Sequence, residues 1–275
     1  MKALLLAAGL GTRLQPLTDN IPKCLIEING KPLLEYWITM LYGGGVCPLL
    51  VNLHYHADKV ANFINNSPYQ EFVATVYEEK LLGTGGTLLK NRSFFDNEPN
   101  EPLMLVHADN LSVFDVQAFV NSHQNRPAGC EITMMTFKTP TPHTCGIIET
   151  DEKGCVQAFH EKVANPPGDT ASGAVYIVEP STFNYLEGLN KEFIDFSTEV
   201  IPHYLGRIYT FHNDVYHRDI GTIESYEAAC KETFEFLHKL GKSSFLRKQE
   251  SSHLRGFMDS RFRGNDKEGG FSKLS

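Results

Sequence analysis

One stretch constrains this chain more than any other: an apolar run that breaks into glycine, LLLAAGLGTRLQPLTDNIPK, residues 4–23. Residues 3–8 read as a buried strand, and Gly9 and Gly11 let the backbone turn sharply where it ends. The chain keeps up the rhythm this starts. PLLEYWITMLYGGG places Leu33, Leu34, Trp37, Ile38 and Leu41 at helical spacing and stops on its glycines. PLLVNL (48–53) and FVATVY (72–77) read as strands with the helix ADKVANFINN between them. PLMLVHADN is a strand ending in polar residues at 109–110, and DVQAFVNSHQ is the next helix. Strands alternating with helices of this length imply a mainly parallel sheet covered on both faces.

After residue 130 the pattern changes. CEITMMTF, GIIETD, CVQAFHE and GAVYIV read as strands, with DEKG as a hairpin turn. Helices resume near 181–190 and 196–204, and a last one runs from about 222 to 240. The expectation is an α/β, Rossmann-like, mainly parallel mixed sheet flanked by helices, with a smaller β-rich portion in the C-terminal half. One domain would cover 1–240, in halves 1–129 and 130–240.

The formal charge of −8 is unevenly spread: residues 241–275 carry eight Lys/Arg against four Asp/Glu, which leaves −12 on the rest. That tail is basic, rich in Gly and Ser and without periodicity, so it reads as a disordered extension. An acidic body argues against nucleic acid as a partner. No apolar stretch is long enough to cross a membrane, and the opening run breaks at Gly9, too soon for a signal peptide. The six cysteines form no CxxC pair, which fits reduced thiols in a cytoplasm better than a disulfide or zinc framework.

Which loop chemistry does residues 9–23 carry? A P-loop needs GxxxxGK[ST], and nothing fits. A dinucleotide fingerprint needs a third glycine where Leu14 stands, so the nicotinamide reading rests on a lone GxG. Neither accounts for Arg13 and Lys23. A nucleoside triphosphate does: glycines let backbone N–H groups converge on phosphate, Arg13 adds a planar charged fork and Lys23 a compact charge. Pro16 and Pro22 stiffen the segment between the two cations.

LAAGLGTRLQPLTDNIPK matches the LAAGxGTRLxPLTxxxPK signature, and the chain resembles the sugar-1-phosphate nucleotidyltransferases over about residues 1–235. LLGTGGTL, HADN, HEKVANPP, SGAVYIV and RDIGTIESY extend the likeness, which lies nearest the mannose- and heptose-1-phosphate guanylyltransferase branch. The resemblance implies an enzyme joining a sugar 1-phosphate to a nucleotide with release of pyrophosphate, in nucleotide-sugar and surface-polysaccharide synthesis. It implies Mg²⁺ on Asp109 and Asp219, and a nucleotide held by Leu6, Ala8, Gly9, Gly11, Thr12, Arg13 and Lys23. Glu78, Gly83, Thr84 and Gly85 would lie by the base. Lys162 would bind the sugar phosphate, with Asn110, Gly146, Glu161, Ser172 and Gly173 lining the sugar.

A carboxylate such as Glu78 or Glu79 suits the paired N–H groups of guanine, whereas uracil and thymine offer one N–H between two carbonyls. GTP is therefore favoured, with UTP or dTTP as the alternative. A catalytically silent nucleotide-sugar-binding subunit is the alternative of another class. His54 and His56 invite a metal reading but more simply end a strand before a helix. His217 stands where relatives commonly carry Trp, and Ala108 where they carry Gly. Which sugar is used, and whether the chain forms a homo-oligomer, stay open.

Overall fold

A computed structural model describes residues 1–96 and 100–240, with side chains as far as residue 233. The basic tail at 241–275 therefore lies outside the described residues. The strands in chain order are β1 (Ala3–Leu6), β2 (Glu27–Ile28), β3 (Lys31–Pro32), β4 (Leu49–Leu53), β5 (Val73–Tyr77) and β6 (Leu103–His107). They continue with β7 (Asn110–Val113), β8 (Ile132–Lys138), β9 (Gly146–Thr150), β10 (Val156–Glu161), β11 (Thr170–Val178), β12 (Ile208–His212) and β13 (Tyr216–Asp219). The α-helices are α1 (Leu33–Gly43), α2 (Ala57–Asn65), α3 (Gly83–Lys90), α4 (Arg92–Phe95), α5 (Val116–Gln124), α6 (Ser181–Gly188) and α7 (Ile223–Leu240).

β5, β4, β1 and β6 lie side by side and all parallel. β11 pairs antiparallel with β6 and with β8, and β12 joins β8 in parallel. β9 meets β11 at Ala171 and forms an antiparallel hairpin with β10. Asp151 makes that hairpin turn: its side chain accepts from the N–H groups of Lys153 and Cys155, both at 2.9 Å. The sheet is thus parallel where strands and helices alternate and largely antiparallel after residue 130.

Along β1, Ala3 and Leu5 enter one core cluster and Leu4 the other, the two-residue alternation of a strand buried on both faces. The first cluster takes Leu34, Trp37, Ile38 and Leu41 of α1, Val60 and Ile64 of α2 and Phe119 of α5. The second takes Leu88 of α3, Leu186 of α6 and Phe196. All five apolar positions read from the α1 sequence are buried.

A third cluster decides where the loops go. Leu14 of the glycine loop, Leu111 of β7, Ile220 and Ala229 pack together with Ile26, Ile28 and Leu33. β7 and β13 form a separate antiparallel ladder in which Asp219 stands opposite Asn110. That ladder and cluster draw together three segments far apart in sequence. Residues 1–230 form one compact unit.

Candidate active site

The site grows from the C-terminal ends of β1 and β6, which are neighbours in the sheet. Beyond β1 the chain is tied to β4 by the Ala7 N–H, which donates to the buried side chain of Asn52 at 2.7 Å. Gly11 then takes a left-handed φ of +65°, a conformation that costs a residue with a β-carbon. Its carbonyl accepts from the Thr18 hydroxyl at 2.8 Å, which folds the loop on itself. A β-carbon on Gly11 would also press on Thr18 and on Lys23, at 3.1 and 3.2 Å. Lys23 therefore lies directly against the loop.

The Lys23 ammonium sits between two carboxylates, 2.9 Å from Asp109 Oδ2 and 3.9 Å from Asp219 Oδ1. Its side chain is 6% exposed, whereas those of Asp109 and Asp219 are 40% and 56% exposed. The lysine is the floor and the aspartates are the rim. Burial alone would raise the Asp109 carboxyl, but the charge and hydrogen bond of Lys23, with His107, hold it below its ordinary value. Asp219 moves the other way: burial, with Asp109 adding to it, raises its pKa against Lys23, Arg13 and Lys162. Four residues, Lys23, Asp109, Arg13 and Lys162, thus act on the one carboxyl group of Asp219.

Gly221 keeps Arg13 close to this group. A β-carbon there would stand 2.7 Å from Asp219 Oδ2 and 3.3 Å from Arg13 Nη2. Lys162 follows β10 with a φ of +49°, and its ammonium pairs with Glu161 at 3.0 Å. Across the β9–β10 ladder Glu161 stands opposite Gly146. A β-carbon on Gly146 would lie 2.4 Å from the Phe159 ring, so its smallness serves the packing of the β9–β10 hairpin itself.

The other expected residues are placed as follows. Leu6 ends β1 half-buried, Ala8 is buried, and Gly9 and Thr12 are exposed along the loop. Asn110 is buried, and its carbonyl accepts from the Trp37 indole at 2.7 Å. The Ser172 hydroxyl is 3.0 Å from the Tyr176 hydroxyl, in an irregular stretch of β11 where Ala174 has a φ of +53°. A β-carbon on Gly173 would overlap Met135 at 2.6 Å. Gly83, Thr84 and Gly85 open α3 against the segment 194–196: the Thr84 hydroxyl accepts from Phe196 N–H, and Gly85 N–H donates to the Ile194 carbonyl.

Glu78 is 5% exposed, and both of its carboxylate oxygens are buried without a hydrogen-bond partner. Buried carboxylates are ordinarily paired, because leaving them bare is costly. Nε2 of His107, two residues before Asp109, is likewise buried and unpartnered. Sequence reading passed over His107, Asn52 and Gly221. The first two carried a signal, a polar residue at the end of an apolar strand run.

His54 and His56 serve backbone: Nδ1 of His54 is 2.8 Å from the Glu78 carbonyl, and Nε2 of His56 is 3.2 Å from that of Asp19. β4 stops at Leu53 and α2 starts at Ala57, so the pair does end a strand before a helix. His217 packs on Phe137 with its Nδ1 2.6 Å from Ser112 Oγ, and burial pushes its pKa down to about 3. Ala108 is not among the residues with positive φ, so its methyl imposes no backbone strain.

A glycine loop, two cations and two carboxylates at the end of a parallel sheet make a site able to hold a polyanion together with a divalent cation. The chain belongs to the Nucleotidyl transferase family, whose profile matches residues 2–235. It is 30% identical over 68% of its length to the mannose-1-phosphate guanylyltransferase catalytic subunit beta of Drosophila pseudoobscura pseudoobscura, of which it covers 50%. It is 28% identical over 82% of its length to the mannose-1-phosphate guanylyltransferase of Mycobacterium tuberculosis, covering 62% of that protein. Among solved structures, a Bacillus anthracis protein described as a glucose-1-phosphate thymidylyltransferase, in complex with a sucrose, superposes with a TM-score of 0.74. That match has 18% identity and covers 84% of this chain and 94% of the other. The chain spans about half the length of the first curated relatives it matches. Among the described residues no helix is long and apolar enough to cross a membrane.

Proposed function

We propose that this chain transfers a nucleotidyl group from GTP to a sugar 1-phosphate of the mannose or heptose type, releasing pyrophosphate. The observation that carries the reading is the convergence of Lys23, Asp109, Arg13 and Lys162 on Asp219. Two polyanions must meet for such a reaction, so the work is neutralisation and alignment, with no covalent nucleophile. Arg13 and Lys23 take the triphosphate, the loop glycines allow its close approach, and Lys162 takes the sugar phosphate. The sugar phosphate oxygen then attacks the α-phosphorus in line with the departing pyrophosphate.

Asp109 and Asp219 suit Mg²⁺: they already share one cation between them, and Mg²⁺ favours one or two carboxylates completed by phosphates and water. Bound there it would neutralise phosphate charge and polarise the phosphoryl group. Glu161 positions Lys162 by its ion pair and faces the sugar side.

Glu78 supports guanine. Its two bare oxygens match the N1–H and amino hydrogens of that base, and a pyrimidine carbonyl would be repelled there. Running the reaction backwards tests the proposal: GDP-mannose and pyrophosphate with Mg²⁺ should yield GTP and mannose 1-phosphate. Formation of UTP or dTTP from the corresponding sugar nucleotides, with none from GDP-mannose, would overturn the assignment of the base.

A further inference from the structure

We propose that Lys23 is the resident cation of the ligand-free site. Its ammonium holds the place between Asp109 and Asp219 and gives it up only to a triphosphate, so the divalent metal enters with the nucleotide and not before it. The inference rests on the nucleotide reading of the site and adds an order of binding to it.

Three observations lead there. The Lys23 Nζ is within hydrogen-bond distance of Asp109 and within ion-pair distance of Asp219, the same two carboxylates that suit a metal. A divalent cation bound to both would stand beside the ammonium, where like charges repel strongly in a partly desolvated site. The lysine is also nearly the most buried member of the group, so solvent does not screen it away.

The base of the Lys23 side chain is fixed. The residue opens a short 3₁₀ turn at Lys23–Leu25, and its Cβ lies under Gly11. Only the far end of the chain can swing, and the loop on which phosphates would lie is directly above it. A triphosphate offers that ammonium charged oxygens in exchange for Asp109. Once it has turned to them, both carboxylates face the incoming metal without the Lys23 ammonium between them. Asp109 and Lys23 thereby keep one another neutralised until the substrate arrives, and an empty site does not capture metal.

The test is Mn²⁺ binding to the full chain without nucleotide, followed by electron paramagnetic resonance of the free ion. The wild type should show no stoichiometric site at micromolar Mn²⁺. Lys23→Met should gain one, at least about tenfold tighter, or about 1.4 kcal/mol, and adding Asp109→Asn should remove it again. Equal Mn²⁺ binding by wild type and Lys23→Met overturns the proposal. Where circular dichroism shows that Lys23→Met has not folded, the wild type decides alone. A tight Mn²⁺ site in the nucleotide-free protein that Asp109→Asn abolishes overturns the idea, and free Mn²⁺ throughout supports it. Pyrophosphate release is assayed on the same wild-type preparation with GTP, Mg²⁺ and mannose or heptose 1-phosphate. Its absence would sink the nucleotide reading while leaving the Mn²⁺ result to stand by itself.

Discussion

Gly146 and Glu161 face each other across the β9–β10 hairpin, and a β-carbon on Gly146 would stand 2.8 Å from the Glu161 carboxylate. It would also overlap the Phe159 ring at 2.4 Å. Gly146→Ala should therefore cost about 1–3 kcal/mol of stability, the usual range for overpacking. Because Glu161 holds Lys162, the KM for sugar 1-phosphate should rise more than the KM for nucleotide. Thermal unfolding and steady-state kinetics read the two effects apart.

Asp109 and Asp219 are set at the rim of the site by their neighbours Leu111 and Ile220, which share one apolar cluster. Asp109→Asn keeps the shape and removes the charge. Turnover should fall by roughly 100-fold or more, the scale of losing a preorganised electrostatic contact. Stability should change by only about 1 kcal/mol, or about 2–4 °C in Tm, because the side chain is 40% exposed. Unchanged turnover would refute the metal role.

Glu78→Gln replaces a buried, unpartnered carboxylate by an amide of the same shape. The kcat/KM for GTP should drop by about 100-fold, as expected when a site loses the group built for its ligand's N–H pair. Activity with UTP should hold or rise, since an amide can face one N–H and one carbonyl together. A parallel loss for both nucleotides would show that Glu78 is structural.

His123 offers a stability test far from the chemistry. It is 1% exposed, with Nδ1 2.8 Å from the Thr133 hydroxyl and Nε2 3.2 Å from Glu179, whose carboxylate also pairs with Arg126. A neutral ring satisfies both contacts, accepting from Thr133 and donating to Glu179. Burial, with Arg126 adding to it, pushes its pKa down to about 3. The unfolded chain binds a proton on this residue below about pH 6.5, and the native chain does not until near pH 3. Stability is therefore lost as pH falls through that window, by up to about 1.4 kcal/mol per pH unit. His123→Gln should flatten the pH dependence of urea unfolding between pH 6 and 4 by that amount. An unaltered slope would mean that His123 titrates normally.

Local pattern carried most of the fold. The runs around β1, β4, β5 and β6 and the α1 face were legible because each is long, periodic and bounded by turn residues. IYTFH, which forms β12, was not read, nor was the short β7–β13 ladder. Both are stabilised by partners distant in sequence, not by internal pattern. The helix read at 196–204 is a π-helix and a 3₁₀ turn in succession, where Pro202 interrupts regular hydrogen bonding. In the site, Arg13, Lys23, Asp109, Lys162 and Asp219 could be named from motifs, but the contact of Lys23 with Asp109 could not. It spans 86 residues and depends on Leu14, Leu111 and Ile220 packing together. The small residues Gly83, Gly85 and Gly146 were legible as positions. That they make room for Ile194 and Phe159 needed the fold.

The first measurement is pyrophosphate release with Mg²⁺, crossing GTP, UTP, dTTP, CTP and ATP against mannose, heptose and glucose 1-phosphates. One strong pair is expected, GTP with mannose or heptose 1-phosphate, with turnover that disappears without Mg²⁺. Silence across every combination, from protein shown to be folded, would contradict it and make the loop at residues 9–13 the phosphate cradle of a binding protein.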